Sequence, residues 1–285
     1  MSANLKQHGP YALVTGASSG IGEEFARQLA ARGFSLVLVA RRRSRLDALA
    51  AELRSAHNVD VRAIDLDLLR DDAVDVLVDK VRGLDVGLGV LNAGIFTCGP
   101  FVDNTLSAEV DVVRLNVLRP MQLAHRLGAD MARRGRGGLI LVSSTAGHQG
   151  VPFLANYAAT KAYVLALGQA LNYELARSHV DVTVLSPGTT RTEGVTNAEG
   201  IDFFRLPVPV MQSSSVVKAA LAGLGRKAVV VPGIVNRIMD AMGKYATPRA
   251  LQTKMFGLLV GRALWKPTLS AAKRPALPEN GQSRT

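Results

Sequence analysis

Cysteine, aromatic side chains, clustered histidines and long apolar runs are all scarce in this 285-residue chain, and each shortage removes a class of protein. A single cysteine, Cys98, excludes an internal disulfide and so the disulfide-stapled scaffolds. The five histidines, His8, His57, His125, His148 and His179, stand apart without metal-ligand spacing, so no metal is expected. No apolar run reaches the ~18 residues of a spanning helix, and the opening Met1-Ser2-Ala3-Asn4-Leu5-Lys6-Gln7-His8 has no apolar signal core. A reducing, cytoplasmic setting is the expectation. Aromatics form 5% of the chain and no aromatic-rich strand, which argues against a nucleic-acid platform despite the net charge of +11.

That charge is unevenly spread. From Arg226 onward eleven Lys and Arg face only Asp240 and Glu279, so +9 lies there and +2 in the preceding body. A hydrophobic fraction of 48% is ample for a buried core. Short aliphatic runs at 11–15, 35–40, 59–65, 88–91, 139–143, 181–186 and 228–231 alternate with longer amphipathic stretches. This is the pattern of an α/β fold, a parallel sheet covered by helices on both faces. Ser44, Asp71 and Ser213-Ser214-Ser215 supply helix starts. Beyond Val231 the spacing of Ile234, Ile238, Met242 and Tyr245 predicts one helix, and Leu251, Met255, Leu258 and Leu259 another. The expected organisation is a nucleotide-binding catalytic domain over 1–233, a basic amphipathic helical extension over 234–266 and a disordered tail over 267–285.

Thr15-Gly16-Ala17-Ser18-Ser19-Gly20-Ile21-Gly22 follows the first strand and opens a helix. Glycine omits the side chain that would block a pyrophosphate, and the helix N-terminus offers free N–H groups to phosphate oxygens. A dinucleotide site is therefore favoured over a merely flexible turn. The second strand ends Ala40-Arg41-Arg42-Arg43, with no carboxylate to accept a ribose 2′-hydroxyl. Arg41, helped by Arg42 or Ser18, suits a 2′-phosphate, so NADPH/NADP+ is preferred over NADH/NAD+; the plain alternative is a solvated charge run.

Tyr157 and Lys161 stand four apart, on one face of a helix. A nearby ammonium favours the phenolate and brings an ordinarily weak acid with a pKa near 10 into reach of proton transfer. By itself the spacing is weak, since most such pairs are a half-buried aromatic beside a solvated lysine. Together with the glycine turn, Asn92-Ala93-Gly94, Asn116, Ser144 and Pro187-Gly188-Thr189-Thr190-Arg191-Thr192, it resembles the short-chain dehydrogenase/reductase family in order and spacing over 11–231.

The resemblance implies a doubly wound seven-stranded parallel sheet and a catalytic tetrad of Asn116, Ser144, Tyr157 and Lys161. It also implies an adenine-contacting pair, Asp65 and Leu66, a turn at Asn92, Ala93 and Gly94, and a nicotinamide segment holding Pro187, Gly188, Thr190 and Thr192. In such a site Ser144 and Tyr157 would stabilise a developing alkoxide, Tyr157 would carry the proton, Lys161 would bond the nicotinamide ribose, and Asn116 would hold a water relaying protons to Lys161. A dimer or tetramer is implied too.

For the substrate side, Phe96, His148, Phe153, Phe203 and Phe204 are candidates for an apolar pocket under a lid, or for packing that lid onto the body. His148 reads more simply as a surface-loop residue. The basic segment of 249–265 fits contact with an anionic membrane, or cover over the cleft or a dimer partner. The expected activity is NADP(H)-dependent reduction of a hydrophobic carbonyl, or oxidation of the corresponding alcohol. The 3-oxoacyl and 17β-hydroxysteroid reductases are the nearest alternatives, and a non-catalytic NADP(H)-binding regulator is the alternative from another class.

Overall fold

The computed structural model describes residues 5–264. The tail expected over 267–285, and the last two residues of the expected extension, lie outside the described residues. The chain runs β1 (Tyr11–Thr15), α1 (Gly20–Ala30), β2 (Ser35–Ala40), α2 (Arg43–His57), β3 (Val61–Asp65), α3 (Ala73–Lys80) and β4 (Val86–Leu91). It continues through α4 (Leu106–Val113), α5 (Arg119–Arg134), β5 (Gly137–Val142), α6 (Ala155–Ala176) and β6 (Val180–Leu185). The last elements are β7 (Thr190–Arg191), α7 (Glu193–Thr196), β8 (Met211–Gln212), α8 (Ser213–Gly223), β9 (Val229–Val230), α9 (Ile234–Tyr245) and α10 (Arg249–Ala263).

Seven strands form one parallel sheet in the order β3-β2-β1-β4-β5-β6-β9. Its central strands are nearly continuous apolar runs because both faces are covered. Alternate residues feed opposite cores. Ala12, Val14, Leu36 and Leu38 pack with Phe25 and Leu29 of α1, Leu46 and Leu53 of α2 and Val216 of α8. Leu13, Val37 and Val39 pack with Leu77 of α3, Leu127 and Met131 of α5 and Val164 of α6. Each fully buried leucine in these layers contributes about 1.5–3 kcal/mol. The strand order reverses between β1 and β4, which opens a crevice at their C-terminal ends.

Two local features differ from the sequence pattern. Helix α2 begins at Arg43, one residue ahead of the Ser44 start signal, with the Arg42 side chain bonded to Ser18 and Glu193. The helices α9 and α10 form where expected, yet the periodic apolar residues of α9 face outward: Ile234, Ile238, Met242 and Tyr245 are exposed, while Asn236 is buried and Asp240 turns inward. Between α4 and α5 the chain widens into a π-helical turn, Arg114–Leu118, which carries Asn116 fully into the interior. A third cluster, Val151, Leu154, Ala158, Ile201, Val260 and Ala263, joins the segment after β7 to α10. Asp202 N–H donates to the Ala263 carbonyl at 2.9 Å, and Ile201 bridges to Leu264, so this segment and the C-terminal helices form one cover.

Candidate active site

The turn after β1 is held open from two sides. Gly16 and Ala17 donate their N–H groups to the Val39 carbonyl at 2.8 and 3.2 Å, tying the turn to β2. From β4, the Asn92 amide donates to the Thr15 carbonyl at 3.0 Å, and the Thr15 hydroxyl accepts from the N–H groups of Asn92 and Ala93 at 2.9 and 3.1 Å. Gly16 sits at φ +68°, where a Cβ would lie 2.8 Å from the Asn92 amide nitrogen. Gly22 does not line the crevice; a Cβ there would meet the Gly16 carbonyl oxygen at 2.2 Å, so its smallness lets α1 pack beneath the turn. Ser18, Ser19, Gly20 and Ile21 do line it, with the first N–H groups of α1 behind them.

From this turn a cleft of about 680 Å³ runs from Arg41 and Arg42 past Tyr157 to the C-terminal helices. At its polar end Arg42 donates to the Ser18 hydroxyl from Nε at 3.2 Å and from Nη2 at 3.1 Å. Its Nη1 bonds Glu193 at 2.7 Å, and Arg45 bonds the same carboxylate oxygen at 2.7 Å. These two guanidinium groups hold the Glu193 carboxyl below its usual range. Arg41 lines the cleft but is largely exposed, with Nη1 3.9 Å from Asp67. Leu66 lines the cleft and Asp65 does not; as the last residue of β3 Asp65 points to solvent, and the acid facing this end of the cleft is Asp67. Further along, Asn92, Ala93, Gly94, Pro187, Gly188, Thr190 and Thr192 all line the wall. The cradle therefore fits a dinucleotide: glycines where a Cβ would intrude, helix N–H groups beside it, and cations at one end.

At the centre, Tyr157 and Ser144 both line the cleft, and the Ser144 hydroxyl acts on the phenol. Ser144 also caps the short helical turn after β5, accepting from Ala146 N–H at 3.1 Å. Lys161, on the same face of α6, is buried; its Nζ donates to the Val142 carbonyl at 3.0 Å and lies 5.7 Å from the centre of the Tyr157 ring. Burial pushes the lysine down to about 8. It pushes the Tyr157 phenol up, with only the Ser144 hydrogen bond opposing. The phenol thus differs from the expected lysine-lowered acid: burial raises it, the Lys161 ammonium spends its hydrogen bond on Val142, and the proton stays on the tyrosine at neutral pH.

Asn116 stands behind these residues and does not line the cleft. Its Nδ2 donates to the Ile95 carbonyl at 2.8 Å and to the Thr160 hydroxyl at 3.1 Å, while Oδ1 accepts from Ile95 N–H at 3.0 Å. Gly94 fits between Asn116 and Lys161, where a Cβ would stand 3.0 Å from Oδ1 and 3.4 Å from Nζ.

The five aromatic and histidine candidates divide. Phe96 packs edge-on against Tyr157 at 5.8 Å and Phe203 at 5.6 Å, and Phe96 and Phe203 line the cleft. Phe153 and Phe204 do not: Phe153 packs toward Gly261 of α10, and Phe204 is exposed with Arg191 over its ring. His148 is neither a surface residue nor a wall of the cleft. Its Nε2 lies 3.0 Å from the Ser186 hydroxyl, and its Nδ1 lies 2.5 Å from Asp240 of α9. Burial holds this imidazole below its ordinary pKa, against the pull of Asp240. The remaining apolar wall comes chiefly from Met239 and Met242 of α9 and from Met255, Phe256 and Leu259 of α10, the last three in the segment for which cover over the cleft was one expectation. Their helical spacing was visible, but nothing local marks which face meets the cleft.

The family model described as short chain dehydrogenase matches residues 10–200. A 7beta-hydroxysteroid dehydrogenase of Clostridium sardiniense is 30% identical over 232 residues, covering 81% of this chain and 88% of that protein. A very-long-chain 3-oxoacyl-CoA reductase of Podospora anserina is 32% identical over 249 residues, 85% of this chain; the match spans only 65% of that longer protein. Among solved structures, a short-chain dehydrogenase from Sphingobium yanoikuyae in complex with NADPH superposes with a TM-score of 0.76 at 38% identity, covering 86% and 95% of the two chains. A bulky-bulky ketone specific alcohol dehydrogenase from Comamonas testosteroni gives 0.71 at 34% identity, covering 87% and 94%.

Proposed function

The chain belongs to the short-chain dehydrogenase family of oxidoreductases, and from that premise we propose that it reduces a bulky, uncharged ketone with NADPH, or oxidises the matching secondary alcohol. The observation that carries this reading is one cleft lined by Tyr157 and Ser144, with arginines at one end and apolar side chains at the other.

A nicotinamide cofactor held along the glycine turn would supply or accept the hydride. Ser144 and Tyr157 hold a substrate carbonyl oxygen and donate hydrogen bonds to it as negative charge develops, each donor worth roughly 10²- to 10³-fold in rate. Tyr157 then gives up its proton to that oxygen, a step worth roughly 10²- to 10⁴-fold. Its raised pKa keeps that proton available beforehand. Lys161 stands on the same helical face to return charge balance to the phenol, and Asn116 acts behind it by fixing Ile95 and Thr160.

Support for NADPH over NADH comes from the absence of a carboxylate at the end of β2 and from Arg42 lying on Ser18, with Arg41 beside them. On this reading Arg42 is the better-seated ligand for a 2′-phosphate, and Arg41 the outer one. A bulky neutral substrate is supported by the methionine and phenylalanine wall, where among the described residues the only charged side chain is Asp240, already turned to His148. Assembly into a dimer or tetramer has a matching surface in the exposed Val110, Val113, Tyr163 and Tyr173 of α4 and α6.

Tyr157→Phe tests the assignment. With a panel of bulky ketones, steroids and 3-oxoacyl thioesters, turnover should fall by roughly 10⁴-fold or more, while NADPH still binds by fluorescence titration. Retained turnover would remove Tyr157 from the chemistry. Failure of the unaltered protein to oxidise NADPH with any member would favour a non-catalytic NADP(H)-binding protein.

A further inference from the structure

The outer surface of α9 and α10 is apolar and basic at once. On α9, Ile234, Ile238 and Tyr245 are exposed, Tyr245 by 78%; on α10, Leu251 and Leu258 are exposed, Leu258 by 66%. Arg237 and Lys244 flank the α9 stripe, and Arg249, Lys254 and Arg262 accompany that of α10; all five are exposed and none forms an ion pair among the described residues. The one acid on these two helices, Asp240, turns inward to His148. Net charge over 234–263 is thus +4, from five cations and one acid. Met242 and Met255 line the cleft and are also 57% and 50% exposed, so the cleft opens through this face.

We propose that this face seats the protein on an anionic lipid bilayer, with the mouth of the cleft turned to the lipid so that an apolar substrate enters from the membrane. Helix geometry supports a flat contact: positions 234, 238 and 245 form one stripe, and 251, 255 and 258 another, with basic side chains at their margins placed to snorkel to headgroups. Neither helix is long and apolar enough to span a bilayer, so the contact is interfacial. A second copy is the poorer occupant, since it would oppose five cations with five more. An acidic protein would match the charge but not so many bare aliphatic side chains. The bilayer supplies both phosphate charge and an apolar layer. Entry from the lipid rests on the reading of the cleft as a substrate site; the contact itself does not.

Flotation of the full chain with vesicles tests the contact without any turnover. Binding should be strong on phosphatidylcholine mixed with phosphatidylglycerol, at least tenfold weaker on phosphatidylcholine alone, and weakened further by salt. Lys254→Glu with Arg262→Glu should lose roughly tenfold or more, as should Leu251→Asp with Leu258→Asp. None of these four residues lines the cleft, so melting temperature and reduction of a short soluble ketone should be unchanged. No flotation of the full chain overturns the proposal. So does flotation indifferent to both variant pairs, or an oligomer that dissociates on those substitutions, which would make a second copy the occupant. Flotation of a protein that reduces no ketone would leave the membrane contact standing and remove the reductase reading.

Discussion

Replacing Gly22, which does not itself line the cleft, by alanine should damage the nucleotide turn from beneath. The added Cβ would stand 2.2 Å from the Gly16 carbonyl oxygen, 2.6 Å from the Asn92 amide nitrogen and 2.8 Å from the Gly16 carbonyl carbon. Relief requires the Gly16 carbonyl to withdraw by about 1 Å or more, which no side-chain rotation supplies. The turn cannot follow freely, because Gly16 and Ala17 are both bonded to the Val39 carbonyl. The Asn92 bond to Thr15 is strained by the same displacement. Overpacking costs about 1–3 kcal/mol, two weakened hydrogen bonds about 1 kcal/mol each, and the better helix propensity of alanine returns about 1 kcal/mol. The net loss of roughly 2–4 kcal/mol corresponds to a melting temperature lower by roughly 5–15 °C. NADPH affinity should fall at least tenfold, because displaced N–H groups no longer converge on the phosphates. Gly194→Ala is the matched control: no atom lies within 4 Å of its added Cβ, and the expected change in melting is about 1 °C or less. Differential scanning fluorimetry and NADPH fluorescence titration read both variants. A Gly22→Ala protein that melts and binds like the parent would refute the packing argument.

Three further outcomes are expected. Lys161 has its pKa depressed from 10.5 to about 8, so between those values the unfolded chain binds more protons than the folded one and stability rises with pH. Urea melts from pH 7.5 to 9.5 should show that rise, and Lys161→Met should flatten it; an equal slope in the variant contradicts the burial argument. Glu193→Gln frees Arg42 and Arg45 and should lower the KM for NADPH roughly two- to fivefold relative to NADH in steady-state kinetics, with an unchanged ratio arguing against Arg42 as the phosphate ligand. His148→Ala leaves Asp240 without its close partner and should cost about 1–2 kcal/mol, raising KM for a bulky ketone through a loosened α9 while NADPH affinity holds. A KM unchanged beside a lowered melting temperature would confine His148 to stability.

Much of the site was legible because its demands are local. The crowded turn at Gly16 to Gly22 needs glycine wherever backbone approaches backbone, and Tyr157 and Lys161 share a helical face by spacing alone. The uninterrupted apolar runs of β2, β4 and β5 announce a sheet buried on both sides. What spacing could not convey is which way a face points. In α9 the apolar residues turn outward and Asn236 and Asp240 inward, because Asn236 fits against Gly188 and Asp240 meets His148. His148 looked like a loop histidine until α9 folded back on it. The upward shift of the Tyr157 phenol is likewise out of reach of spacing, since one nearby cation is visible in sequence and desolvation is not.

The sequence by itself determined the sheet, the glycine cradle and the tyrosine–lysine register, for these follow from backbone sterics and from helical and strand periods. Only the tertiary structure decided that Arg42 rather than Arg41 sits on Ser18, that Asn116 lies behind the cleft, and that α9 and α10 form the apolar wall with a bare basic surface outside. Those outcomes depend on contacts between segments far apart in the chain, where burial and charge are set by neighbours that no local pattern names.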